Sequence, residues 1–314
     1  MTPNLPAAIF LMGPTAAGKT GLACALRQLF PVELISVDAA QVYRGLDIGT
    51  AKPNAQEQQR DPHRLIDILD PNQAYSAAQF CADAHREMAE ITRMGRIPLL
   101  VGGTMFYFRA LAYGLSELPS ADSAIRAQLT EEAEKSGWPA LHARLAASDP
   151  EGAARIHPHD AQRIQRGLEI LACTGHAPSV LNRGHHYVFP YDVVKIAIAP
   201  LERSQLHTQI AARFQAMLKQ GLVAEVEGLF QRGDLSLNLP SMRTVGYRQV
   251  WQYLSQELSY NEMVDRSIIA TRQLAKRQLT WLRSDAELTW YDSHRPDLIP
   301  ICASFIRQNL AARV

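Results

Sequence analysis

Short apolar runs alternate with amphipathic stretches through the first 118 residues of the chain. Residues 8–12 (Ala-Ile-Phe-Leu-Met) are uniformly apolar and predict a strand covered on both faces. Residues 32–37 repeat that signature after Pro31 and end at Asp38. Residues 64–69 are a shorter strand candidate, closed by Asp70-Pro71. Ser76 then reads as a helix N-cap, because Phe80, Ala84, Met88 and Ile91 recur at helical spacing until Gly95. Residues 97–101 form another apolar run, and Gly102-Gly103-Thr104 turns it into a helix starting near Met105. Strands alternating with helices predict an α/β protein with a parallel, doubly wound sheet. Ligands of such sheets sit at the C-terminal ends of the strands.

The rhythm stops near Pro119. Residues 121–175 read as helices, broken at Gly137-Trp138-Pro139, Asp149-Pro150 and His157-Pro158. The last of them, 160–174, turns Ile164, Leu168 and Leu171 inward. A Gly- and His-rich loop spans 176–186, and 193–198 predict a strand that rejoins the sheet. The expected organisation is a core of 1–118 and 193–314 with a helical insertion at 119–192. Beyond Leu201 the pattern is mostly helical. There, Leu206, Ile210, Phe214 and Met217 share one apolar arc, and Arg213 falls inside it. An arginine on an apolar face is costly unless it is paired or turned toward a charged ligand.

Composition narrows the class. The 314 residues are 47% apolar and 20% charged, as in a globular enzyme rather than a disordered chain. A net charge of +1 does not advertise nucleic-acid binding, so any such reading must rest on local clusters. Cys24, Cys81, Cys173 and Cys302 are isolated from one another, which fits a reducing compartment. No apolar run reaches membrane-spanning length, and 8–12 are too short for a signal-peptide core. A cytoplasmic monomer without membrane contact is expected.

The chemistry begins at residues 13–20, Gly-Pro-Thr-Ala-Ala-Gly-Lys-Thr, between the first strand and a helix. This is the P-loop spacing. Backbone N–H groups of Gly13, Thr15, Ala16, Ala17 and Gly18 converge on phosphate oxygens. The helix dipole and Lys19 add positive charge, and Thr20 reaches a magnesium ion. Asp38 and Gly102-Gly103-Thr104 end two further strands at the same edge. Asp38 reads equally as a general base or as a metal ligand, and Thr104 as a helix cap that can still donate to a ligand. Three stretches are basic. The first holds Arg155, Arg163 and Arg166, and the second Arg243, Tyr247 and Arg248. The third holds Arg266, Arg272, Lys276, Arg277 and Arg283 with Trp281. Cations interleaved with aromatics suit an RNA backbone and unstacked bases, although a solvated helix face explains any one cluster alone.

Several stretches together resemble the tRNA dimethylallyltransferases, also called tRNA isopentenyltransferases. They are the P-loop, Gln-Val-Tyr-Arg-Gly-Leu-Asp-Ile-Gly-Thr-Ala-Lys-Pro at 41–53 and Val-Gly-Gly-Thr at 101–104. Further on come Gln-Arg-Ile-Gln-Arg at 162–166, Arg-Thr-Val-Gly-Tyr-Arg-Gln at 243–249 and Thr-Arg-Gln-Leu-Ala-Lys-Arg-Gln-Leu-Thr-Trp at 271–281. The resemblance implies a P-loop NTPase-like core and a helical insertion that grips the anticodon stem. It also implies magnesium, and transfer of a dimethylallyl group from its diphosphate to an adenine amine. The adenine is the one 3′ of the anticodon in tRNAs reading codons that begin with U, flipped into a channel. It makes Asp38 the general base, Thr104 a contact between diphosphate and nucleotide, and Arg213 a diphosphate contact. It assigns tRNA contacts to Asp38, Ala39, Ala40 and Gln41, to Arg126, to Gln162, Arg163, Ile164, Gln165 and Arg166, and to Arg243, Thr244, Val245, Gly246, Tyr247 and Arg248. Ala39 departs from the serine frequent there, so a hydroxyl contact is absent.

Overall fold

The computed structural model describes residues 5–116, 118–181 and 187–311. Six parallel strands form one sheet: β1 (Ala7–Met12), β2 (Val32–Val37), β3 (His63–Arg64), β4 (Ile97–Gly102), β5 (Asp192–Ala199) and β6 (Thr289–Asp292). Their spatial order is β3-β2-β4-β1-β5-β6. Side chains of a strand alternate between faces, and here both faces are covered. Phe10 and Met12 of β1 pack with Phe80, Ala84 and Met88 of α3 (Ala77–Arg93) and with Phe108 and Leu111 of α4 (Met105–Tyr113). Ile9 and Leu11 pack on the other face with Leu22 and Leu26 of α1 (Lys19–Leu29) and with Ile306 of α14 (Leu298–Ala311). Burial on both sides is why the strands read as apolar runs rather than as alternation.

The register positions the site. Met12 pairs with Gly102, and Gly102 pairs with Val37. The residues that follow, Gly13, Gly103 and Asp38, therefore leave the sheet side by side.

Two expectations are corrected. The stretch 64–69 is not a strand. β3 stops at Arg64, because Leu65 and Asp67 take positive φ of 63° and 55°. Its apolar character reflects burial of Leu65 and Ile66, while Asp67–Leu69 bond the loop after β2 through the Gln41 and Val42 carbonyls rather than extending the sheet. Conversely, β6 escaped sequence reading. It is four residues long, and none of them is fully buried, so no apolar run marks it.

The chain divides into two compact units, 1–112 with 189–314, and 113–188. The second unit is helical: α5 (Ser123–Ser136), α6 (Trp138–Ser148), α7 (Pro150–Ala153), α8 (Ala161–Thr174) and α9 (Pro178–Leu181). Leu129, Leu141, Leu145, Ile164 and Leu168 make its core. Of the loop expected at 176–186, positions 182–186 lie outside the described residues, and α9 occupies 178–181. In the first unit, α10 (Arg203–Gln220), α11 (Leu222–Phe230), α12 (Tyr247–Leu254) and α13 (Tyr260–Arg283) follow β5. Phe214, Leu222, Val226 and Tyr247 pack against Val42, Tyr43 and Leu46 of the loop after β2.

Candidate active site

The P-loop wraps the N-terminus of α1. Ala16 and Gly18 both take left-handed φ, 66° and 80°, which turns consecutive N–H groups inward. For alanine that conformation carries strain of about 1 kcal/mol, held by the surrounding packing. Lys19 Nζ donates to Pro14 O at 2.7 Å. Burial lowers the Lys19 pKa to about 7. The nearby Arg213 charge pushes in the same direction, and Asp38 opposes it.

Gln278 of α13 closes the loop from above. Its Oε1 accepts from Thr15 N–H at 2.9 Å and its Nε2 donates to Gly103 O at 2.7 Å. One amide thus ties the P-loop to the turn after β4. A Cβ at position 103 would lie 2.5 Å from that Nε2, so any side chain there would displace the amide from its bond. Thr104 makes the next link, its Oγ1 accepting from Ala39 N–H at 3.1 Å. Asp38 Oδ1 accepts from Ala40 N–H at 2.8 Å and Gln41 N–H at 3.2 Å. That fixes the carboxylate and leaves Oδ2 for the cavity. Asp38 thus also caps the turn that follows β2.

Asp38, Lys19, Thr20, Gly103, Arg213, Gln278 and Thr244–Gly246 line one cavity of about 420 Å³. Among the described residues Arg213 has neither an acidic partner nor a hydrogen-bond acceptor within reach. Burial lowers its pKa from the ordinary guanidinium value, against the attraction of Asp38. An unpaired, partly buried guanidinium beside a P-loop is a position built for an anion.

The stretch 41–53 proves largely architectural. Glu225 accepts from the N–H groups of Asp47, Ile48 and Gly49 at 3.2, 2.7 and 3.2 Å, and from Tyr247 Oη–H at 2.5 Å. Lys52 Nζ, almost wholly buried, donates to Tyr43 O, Asp47 and Asp67. Gly49, Thr50 and Ala51 consequently form a fixed cavity wall.

The residues expected to touch RNA fall in contrasting environments. Tyr247 is fully buried and bonded to Glu225, so its ring is no stacking surface. Ile164 is likewise fully buried, in the core of the helical unit. Arg126 and Arg166 both bind buried Glu169, at 2.9 and 2.8 Å, and Arg166 also donates to Pro119 O. Burial alone would raise the Glu169 carboxyl. The two guanidinium groups and the Asp122 N–H outweigh it and hold the group below the usual carboxylate range. Gln165 bonds Arg126 O and Thr130 Oγ1. Gln162 and Arg163 are exposed, as are Arg243 and Arg248. Arg272 and Lys276 line a second cavity of about 430 Å³ with Arg203, His207 and Arg283. Arg277 stands exposed on α13.

Gln278, Glu225 and Glu169 escaped sequence reading as site builders. For Gln278 a signal existed, since it shares the inward face of α13 with Ala275 and Leu282. A polar residue at a buried helical position calls for a partner, by the argument that singled out Arg213.

A P-loop at the centre of a parallel sheet, faced by an arginine and a carboxylate, defines an α/β core of the P-loop class. A family model described as IPP transferase matches residues 41–285. The chain belongs to the IPP transferase family and is a prenyltransferase enzyme. Two solved structures bear close likeness. The full-length tRNA isopentenylpyrophosphate transferase of Bacillus halodurans is 36% identical over 98% of this chain and 97% of that one, with a TM-score of 0.72. The tRNA delta(2)-isopentenylpyrophosphate transferase of Staphylococcus epidermidis is 32% identical over 98% and 100%, with a TM-score of 0.71. A eukaryotic dimethylallyltransferase acting on tRNA shares the fold, with a TM-score of 0.82 at 24% identity over 98% and 80%. No helix among the described residues is long and apolar enough to cross a membrane.

Proposed function

We propose that this protein transfers a dimethylallyl group from dimethylallyl diphosphate to the exocyclic amine of an adenine in tRNA. The adenine is the one immediately 3′ of the anticodon in tRNAs reading codons that begin with U. The observation that carries the reading is the register Met12–Gly102–Val37, which brings the P-loop, Gly103 and Asp38 to one cavity that Arg213 also lines, with Thr104 next in the chain and bonded to the Asp38 turn. An allylic diphosphate needs cations around its leaving oxygens, and an amine nucleophile needs a base.

The bond from the adenine nitrogen to the allylic carbon forms as the C–O bond breaks, and the electron pair leaves with diphosphate. The adenine lone pair is delocalised into the ring, so it strengthens as the N–H proton moves to Asp38 Oδ2. The loop N–H groups, Lys19 and Arg213 stabilise charge building on the diphosphate, the largest catalytic contribution in sites of this kind. Thr104 holds the β2 turn through Ala39 N–H and donates its own proton toward the ligand. Magnesium fits this donor set through the Thr20 hydroxyl, a hard oxygen at the start of α1, while Asp38 serves as the base. Among the described residues no three His, Cys, Asp or Glu side chains converge, so diphosphate and water would supply most ligands. When bound, the ion would neutralise part of the leaving-group charge. In the helical unit, Gln162 and Arg163 offer exposed contacts to the anticodon stem, with Arg126 and Arg166 beside them.

The test is radiolabelled dimethylallyl diphosphate with an anticodon stem-loop RNA and with free AMP. Label enters the RNA alone. Asp38→Ala abolishes incorporation while RNA affinity stays within about tenfold, because its role is in the transition state. Label in AMP alone, or in neither, overturns the reading.

A further inference from the structure

Two exposed aromatic rings stand at the edge of this site without a structural task. Phe106 is 50% exposed and Trp281 is 36% exposed, and they meet edge to face with centroids 6.5 Å apart. Their positions follow from the site itself. Phe106 lies in the first turn of α4, two residues after Thr104. Trp281 lies one turn beyond Gln278 on α13, and Gln278 is bonded to Gly103 O. The pair therefore sits one helical turn from the residues that build the cavity. The Arg109 guanidinium lies over the Trp281 ring, 5.5 Å from its centroid. Arg277 precedes Trp281 by four residues and shares its helix face. Among the described residues neither arginine has an acidic partner.

Large exposed rings are costly to leave in water, and here they are joined by two unpaired cations. Ring faces take unstacked bases, and guanidinium groups take the phosphates between them and stack as well. We propose that Phe106, Arg109, Arg277 and Trp281 form a stacking platform for an unpaired nucleotide adjoining the target adenine. This rests on the RNA-modifying reading above. The platform receives the neighbour of the extruded base and holds the loop open while the adenine enters the cavity. Neither ring touches the reacting atoms, so both act as positioning residues.

A double-mutant cycle tests it. Affinity is measured for anticodon stem-loops in which each unpaired base is in turn made abasic, with wild type, Phe106→Ala, Trp281→Ala and Trp281→Phe. On intact RNA each alanine variant weakens binding roughly 5-fold or more, the range of a lost base stack, and Trp281→Phe largely restores it. At one abasic position the alanine substitutions have no further effect, because the base they served is gone. Unchanged affinity overturns the platform, and so does an equal loss on every abasic RNA. Phe106→Ala keeps the test valid should Trp281→Ala perturb α13, since Phe106 is half exposed. Prenyl transfer by wild type to intact RNA is followed in parallel. Its failure would sink the functional reading, whereas its success without coupling would sink the platform alone.

Discussion

Lys19 shows how a single residue is tuned before its ligand arrives. Burial, with Arg213 beside it, brings its pKa to about 7, so the free site holds a part-neutral amine bonded to Pro14 O. A bound diphosphate favours the ammonium form and draws a proton onto Lys19 from solvent. At pH 8 binding should therefore take up most of a proton more in wild type than in Lys19→Gln, and at pH 6 the difference should vanish. Calorimetry in buffers of different ionisation enthalpy measures this, and equal uptake at pH 8 would disprove it. The linkage to stability has a definite sign. The folded pKa lies below the unfolded one, so between about pH 7 and 10.5 the unfolded chain binds more protons. Stability of the free protein rises with pH across that window, and the cost of charging the buried amine is fully present below it. The residues of the P-loop were legible from spacing alone. Their electrostatics were not, because Arg213 and Asp38 approach Lys19 only through the fold.

At the scale of elements, α13 does three jobs with three faces. Ala275, Gln278 and Leu282 face inward, Arg272 and Lys276 line the second cavity, and Arg277 and Trp281 are exposed, with Trp281 meeting Phe106 of α4. Gln278 joins two loops from different strands, so its removal loosens both. Gln278→Leu leaves Thr15 N–H and Gly103 O without their partner, which costs about 1–3 kcal/mol of stability. Its KM for the prenyl diphosphate should rise several-fold while RNA affinity stays unchanged. A KM equal to that of wild type would show that the P-loop holds its shape without the clamp. Helical periodicity revealed α3, α8 and the apolar arc of α10, since each buries a continuous stripe. It missed β6 and misread 64–69, because pairing and burial are set by neighbours distant in sequence.

The whole molecule comprises two compact units, each with its own apolar core. The helical unit is held by a charge cluster as well as by its apolar core. Glu169 joins α8 to Arg126 of α5 and caps the backbone at Asp122. Glu169→Gln leaves two guanidinium groups without their counter-ion and should destabilise this unit by about 2 kcal/mol. Amide exchange should accelerate in 123–136 and 161–174 and not in β1 or β4. Uniform acceleration across both units would mean that they unfold as one. The Glu169 carboxyl is held below its ordinary value of 4.5, so its contribution is complete above that pH and fades on acidification.

The chain's own order of residues determined the P-loop, the parallel α/β core, the insertion and the set of groups available for catalysis. Those depend on spacing within one element or on short runs of apolar residues, and both are local. Only the tertiary structure decided which polar groups meet. Strand register set Gly13, Gly103 and Asp38 side by side, and α13 laid Gln278 between Thr15 of the P-loop and Gly103. Packing buried Tyr247 and Ile164 within segments expected to face RNA, and it left Phe106 and Trp281 exposed. Contacts between residues more than a hundred positions apart carry no periodic signal, so their partners emerge only when the chain is folded.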